Sequence, residues 1–78
     1  MGKKHQTPKA GDKVRLTELP PGLLDDLPVE DQRAISEIVG KPILLVRLED
    51  DGRAELRFVD SEGDVHFIYV NAKFIKPI

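Results

Sequence analysis

The chain contains no cysteine and no tryptophan, and only one methionine, one tyrosine and three phenylalanines among its 78 residues. Without thiols there is neither a disulfide framework nor a thiolate metal site. The fold must therefore rest on packing alone. A chain of this length makes one domain and buries about 60% of the surface its unfolded state exposes, so the core is expected to be thin. Long hydrophobic runs are also missing. Uninterrupted apolar stretches such as Ile43–Val46 are far too short to span a bilayer. The amino end, MGKKHQTPKAGD, carries positive charge but lacks the apolar run of a signal peptide. Gln6 stands where a myristoylation signal requires Ser or Thr. These absences point to a soluble, cytoplasmic protein with no membrane partner.

Catalytic and metal-binding signatures are equally scarce. His66 is the only histidine after residue 10, and the only serines, Ser36 and Ser61, fall in a predicted helix and a predicted turn. Neither serine has a nucleophile-elbow context, and no nucleophile–base pair can be assembled. The chain is expected not to be an enzyme, and His66 is expected to be a half-buried strand residue rather than a base. The acids of Asp60-Ser61-Glu62-Gly63-Asp64 alternate as in a calcium loop. The full twelve-residue spacing and its closing bidentate glutamate are missing. Glu49-Asp50-Asp51 is no better a metal site. No metal and no cofactor is expected.

What is present is charge, unevenly divided. Twelve Lys and Arg face fourteen Asp and Glu, a net of −2. Three of the bases (Lys3, Lys4, Lys9) lie in the first ten residues, which hold no acid. Nine bases then remain against fourteen acids, a net of −5 over residues 11–78. Residues 1–10 read as a disordered basic tail, polar and aperiodic, ahead of a single acidic domain, 11–78. An acidic body repels phosphate backbones, which disfavours nucleic acid as a partner.

The domain's periodicities predict mainly strands. In GDKVRLTEL, Val14 and Leu16 alternate with Lys13, Arg15 and Thr17 as a half-buried strand does, and Pro20-Pro21 ends it. In LPVEDQRAISEIVGKP, Ala34, Ile35, Ile38 and Val39 recur at helical spacing. Pro28 suits the first turn, Glu30 and Asp31 complement the dipole, Gly40 suits a left-handed cap and Pro42 blocks continuation. A helix over 29–39 is predicted, with Leu23, Leu24 and Leu27 in a turn beneath it.

Two hairpins follow. With Asp50-Asp51-Gly52 as a three-residue loop, Leu48 faces Ala54, Val46 faces Leu56 and Leu44 faces Phe58 on one side. On the other side Glu49 meets Arg53 and Arg47 meets Glu55, pairs of opposite charge, and a one-residue slip would spoil both faces. The second hairpin admits two registers. A loop of Ser61-Glu62-Gly63 sets Phe58 against His66, Leu56 against Ile68 and Ala54 against Val70, leaving Phe67 and Tyr69 on the outer face. A loop of 60–63 instead buries Val65, Phe67 and Tyr69. The first puts Asp60 opposite Asp64, yet gives the glycine its usual place and spares a thin core the bulky side chains, so it is preferred. A turn at 71–74 and a last strand through Ile75 complete five strands, which in so small a sheet are expected to curl into a barrel.

This order (GDKVRL, a long insertion, a three-stranded meander, then the turn and strand of YVNAKFIKPI) resembles an SH3-like barrel. More closely, the chain resembles a group of short, uncharacterised bacterial proteins sharing a pattern like GDxVRL…LP…VGKP…GRAELxF…GxxHxIYV…FI. The resemblance implies a five-stranded SH3-like antiparallel barrel with one short α-helix inserted between the first and second strands. It implies little about function, because such folds host many activities. Proline-rich peptide recognition needs an aromatic stack including a tryptophan, which is absent here. VGKPILLV is similar to the entry of ribosome- and polymerase-associated barrels, but Pro42 and the acids Glu49, Asp50 and Asp51 depart from their basic pattern.

The expected function is a non-enzymatic protein-interaction module of the bacterial cytoplasm. Its candidate surface is Arg57, Phe67 and Tyr69, flanked by Ile43 or Leu45. A monomer binding another protein is the expected state. The alternative is a nucleic-acid-binding barrel in which the basic tail holds phosphate and the aromatics stack on bases. The helix is expected to cap the barrel rather than to dock a partner.

Overall fold

The computed structural model describes residues 8–78. Most of the expected basic tail therefore lies outside the described residues. Its last residues enter a turn, in which the Lys9 backbone N–H donates to the Asp12 carboxylate at 3.0 Å and Asp12 N–H returns to the Lys9 carbonyl at 2.9 Å. Five strands follow, β1 (Lys13–Leu16), β2 (Pro42–Leu48), β3 (Arg53–Val59), β4 (Val65–Asn71) and β5 (Ile75–Pro77). One α-helix, α1 (Val29–Glu37), lies between β1 and β2, and a single 3₁₀ turn (Ala72–Phe74) precedes β5.

All strand pairs are antiparallel, and the sheet order is β4-β3-β2-β1-β5. The expected closure into a barrel is not made by strand pairing, since β4 and β5 remain the two edges. β5 is only three residues long and ends at Pro77, which has no N–H to give a further ladder. The inner face is covered by other means. Ala34, Ile35 and Ile38 of the helix region join Val14, Leu16, Ile43, Leu45, Leu56 and Phe58 in the core. Leu19, Leu23, Leu24 and Leu27 pack against it from the segment before the helix.

That segment and the helix form largely as the residues dictate. Successive tight turns over 20–27 are closed by Leu23 N–H to Pro20, Asp25 N–H to Gly22 and Leu27 N–H to Leu24. Pro28 sits one position before the first helical residue, and the Gln32 side chain donates to the Leu27 carbonyl at 2.9 Å. The helix ends two residues earlier than predicted, at Glu37, with Ile38 as its cap. Gly40 takes φ +84°, as predicted for a left-handed residue, and its N–H donates to the Leu16 carbonyl at 2.9 Å. This contact ties the helix exit to β1.

The first hairpin agrees with prediction near its turn and departs from it further along. Leu48 faces Ala54 and Arg47 faces Glu55, with Arg47 Nε 3.2 Å from Glu55. Beyond Arg47 a bulge shifts the register, so that Leu45, not Val46, faces Leu56, and Leu44 faces Arg57 rather than Phe58. Ile43 and Leu45 are buried while Leu44 and Val46 are half-buried. The run Ile43–Val46 is apolar at every position, so alternation carries no instruction there, and a bulge that bends the strand over the core decides it. The predicted Glu49–Arg53 charge pair is replaced too. Their backbones pair, with Glu49 N–H 2.7 Å from the Arg53 carbonyl, but Arg53 Nε reaches Asp51 at 2.9 Å.

Candidate interaction surface

The second hairpin adopts the preferred register. Phe58 faces His66, Leu56 faces Ile68 and Ala54 faces Val70, while Asp60 N–H donates to Asp64 across the loop at 2.9 Å. Gly63 has φ +89°, a backbone that other residues rarely adopt, and its N–H donates to the Asp60 carbonyl at 3.0 Å. Because side chains alternate along a strand, this register sends Val65, Phe67 and Tyr69 to the outer face. Phe67 is 54% exposed and Tyr69 48%. Val59 and Val65, opposite one another, extend the same face and are also exposed.

The three expected surface residues are brought together. Arg57 lies directly across from Phe67, and Glu55 across from Tyr69. The apolar neighbour of Arg57 is Leu44, not Ile43 or Leu45, which the bulge has turned into the core. Continuing along the same row, Lys13 of β1 faces Leu44, so Phe67, Arg57, Leu44 and Lys13 form a line across four strands. Arg53 places its guanidinium 5.6 Å from the centre of the Tyr69 ring, a cation–π contact that steadies one end of the patch. Beside Arg57 a cleft of about 400 Å³ opens between the helix exit and the end of β3, lined by Ile38, Ile43 and Phe58 and by the acids Glu37 and Asp60.

His66 behaves as the predicted half-buried strand residue, with 14% of its side chain exposed. Its ring stacks on Phe58, with centroids 5.0 Å apart and planes 10° from parallel. Nε2 lies 2.8 Å from Asp60 Oδ2, and Nδ1 lies 3.7 Å from Asp31 Oδ1 of the helix. Asp60 is fully occupied. Its Oδ1 accepts N–H bonds from Glu62 at 2.8 Å and Asp64 at 2.9 Å while Oδ2 meets the imidazole. The two carboxylates flank opposite nitrogens of the ring instead of converging with it on one point. Among the described residues no group of His, Asp and Glu is arranged to hold a metal ion. The Asp31 contact could not be read from the sequence, because it joins residues 35 apart through the docking of the helix.

The His66 hydrogen bond, followed by the Asp64 backbone N–H, holds the Asp60 carboxyl below its ordinary value, against a smaller upward push from desolvation. A group depressed on folding contributes stability that is present above its unfolded pKa and lost as pH falls through its folded one. The cluster is therefore expected to weaken below about pH 4, the usual carboxylate range. Thermal unfolding of wild type and Asp60→Asn at pH 7, 4 and 2.5 measures this. The gap between them should be widest at pH 7 and shrink at pH 2.5. A gap that is constant across the series would show that Asp60 does not couple folding to pH.

The sequence reading singled out Arg57, Phe67 and Tyr69 but missed their basic neighbours Lys13, Arg15 and Lys76. Arg15 faces Lys76 on the outer side of β1 and β5. The alternation in KVRL and IKP carried that signal, but a whole-domain charge count hid it. No helix among the described residues is long and apolar enough to cross a membrane. No protein-family model, curated protein or solved structure matches the chain.

Proposed function

We propose that the domain is a small SH3-like barrel that serves as a non-enzymatic protein-interaction module of the bacterial cytoplasm, docking its partner on the outer face of β3 and β4 through Arg57, Phe67 and Tyr69. One observation carries the reading: an aromatic pair about half exposed, on a rigid strand, beside an arginine with no carboxylate partner among the described residues. A contiguous exposed apolar patch on a small domain marks an interaction surface, and aromatic and arginine side chains dominate such interfaces. The barrel assignment is supported by the strand order, the long insertion after β1 and the single 3₁₀ turn before β5. The non-enzymatic assignment is supported by the fate of His66, the one imidazole among the described residues, which is engaged between two carboxylates.

The test is capture from nuclease-treated bacterial lysate on immobilised full-length chain, comparing wild type with the Arg57→Glu/Tyr69→Ala double variant. Both substitutions lie on the outer face, so the variant should keep the wild-type circular dichroism spectrum. A discrete protein held by wild type and lost by the folded variant is the expected result. Equal retention by both would remove this face from consideration, and retention that disappears with nuclease would transfer it to nucleic acid.

A further inference from the structure

Charge is sorted by face in this domain to a degree that its net value conceals. The strand registers place Lys13, Arg15, Arg47, Arg53, Arg57 and Lys76 on the outer face of the sheet. These are six of the nine bases that follow residue 10. Glu55 is the only acid within any strand, and it is 13% exposed and paired with Arg47. The other thirteen acids lie in the turns, the insertion and the helix. Lys13, Arg15, Arg57 and Lys76 have no carboxylate partner among the described residues. Arg47 is paired with Glu55 and Glu49, and Arg53 with Asp51, so a domain of net −5 presents on this face four bases without a carboxylate partner among the described residues, with Phe67 and Tyr69 beside them.

The extent of that face limits what can occupy it. Seven residues of β3 span about 23 Å, and five strands spaced about 4.8 Å apart are about 19 Å across. At one end of β3 stand Glu49, Asp50 and Asp51, and at the other Asp60, Glu62 and Asp64. A long polyanion laid on this face would overrun it and meet those acids, whereas about six extended residues of a peptide fit inside. The exposed row of Phe67 and Tyr69, continued by Val59 and Val65, also calls for apolar side chains.

We infer that the partner docks through a short acidic segment of protein carrying aromatic or other apolar side chains, whose carboxylates meet Arg57, Lys13 and Arg15 while its apolar groups cover Phe67 and Tyr69. This rests on the docking face proposed above and adds the chemistry of what docks. Opposite charge speeds encounter and fixes register, and at an exposed rim it is screened by salt.

The test uses a short glutamate–tyrosine copolymer, a capped peptide of about six residues to match the span of the face, titrated into the isotopically labelled full-length chain and followed by amide chemical shifts. Polylysine and mixed-sequence RNA and DNA single strands of about twelve nucleotides run in parallel. The copolymer should shift the amides of β1, β3 and β4, and its affinity should fall about tenfold between 50 and 300 mM salt. Arg15→Glu/Lys76→Glu, which leaves Arg57, Phe67 and Tyr69 intact, should weaken it by a similar factor, and polylysine should leave this face unshifted. Shifts that are absent, or centred on α1, overturn the inference. Tighter binding of either oligonucleotide to the same face overturns it in favour of nucleic acid. The protein captured from lysate separates this failure from failure of the docking face itself. Binding lost in Arg57→Glu/Tyr69→Ala yet indifferent to salt and to Arg15→Glu/Lys76→Glu keeps the face and rejects the acidic segment. Indifference to both variants rejects both.

Discussion

Leu56→Ala is expected to cost about 2–5 kcal/mol and to bring the domain to the edge of unfolding. Leu56 is fully buried at the middle of β3, a strand paired on both sides with neighbours of equal length, and faces Leu45 on one side and Ile68 on the other. Truncation would leave a void that the two flanking strands, pinned by their ladders, could close only in part. A domain of this size is stabilised by roughly 4–12 kcal/mol in total, so the loss is a large fraction of it. Each kcal/mol shifts Tm by about 4–8 °C in a domain of 60–100 residues. A fall of about 8 °C or more in calorimetry is therefore expected. A fall of under 3 °C would mean that the core is not centred on this residue.

Ile35→Ala should cost a comparable amount, about 2–5 kcal/mol, for a different reason. Ile35 is 1% exposed and is the most deeply buried residue of α1. The sheet is open, so its inner face must be covered by something other than its own strands. The helix does this with few anchors: Ala34, Ile35 and Ile38 pack down, Gly40 N–H bonds to Leu16, and Asp31 approaches His66. A nine-residue helix is marginal in isolation, so its order depends on those contacts. Denaturant unfolding of Ile35→Ala should remain a single transition at lower midpoint, with fluorescence of Tyr69 and far-ultraviolet dichroism superimposed. Two separated transitions, the helix melting before the sheet, would show that α1 is an accessory and not part of the cooperative unit.

Both variants probe the interior, where chain periodicity and tertiary packing share responsibility unequally. Val14 and Leu16 were legible as core from their alternation, and Ala34, Ile35 and Ile38 from their helical spacing. Gly40, Gly52 and Gly63 were legible as left-handed turn residues from the segments they separate, and all three have positive φ. The Arg47–Glu55 pair followed from matching two faces of the first hairpin at once, whereas the register of β3 on β4 was one of two open options, preferred for the place of Gly63 and the bulk of the aromatics. Each of these is a local pattern, and local patterns survive because backbone geometry enforces them over a few residues.

Residues Ile43–Val46 were not legible in the same way. Four apolar side chains in succession satisfy either face, and only the bulge between Leu45 and Arg47 selected Ile43 and Leu45 for the core. The surface residues Arg57, Phe67 and Tyr69 were identified from the sequence on condition of a register. The structure met that condition and added Lys13 and Leu44 to their row. His66 was readable as a strand residue, but not as the link between the second hairpin and the helix.

The sequence by itself determined the number and order of elements, the turn glycines, and the alternation that divides each strand into two faces. Tertiary structure alone decided that the edges of the sheet stay apart, that a bulge reassigns the apolar run of β2, and that bases from all five strands except β4 share one surface. The physical reason is range. Periodicity acts between residues two to four apart, whereas the charge of a face is a sum over strands whose neighbours in space, such as Arg15 and Lys76, are far apart in the chain.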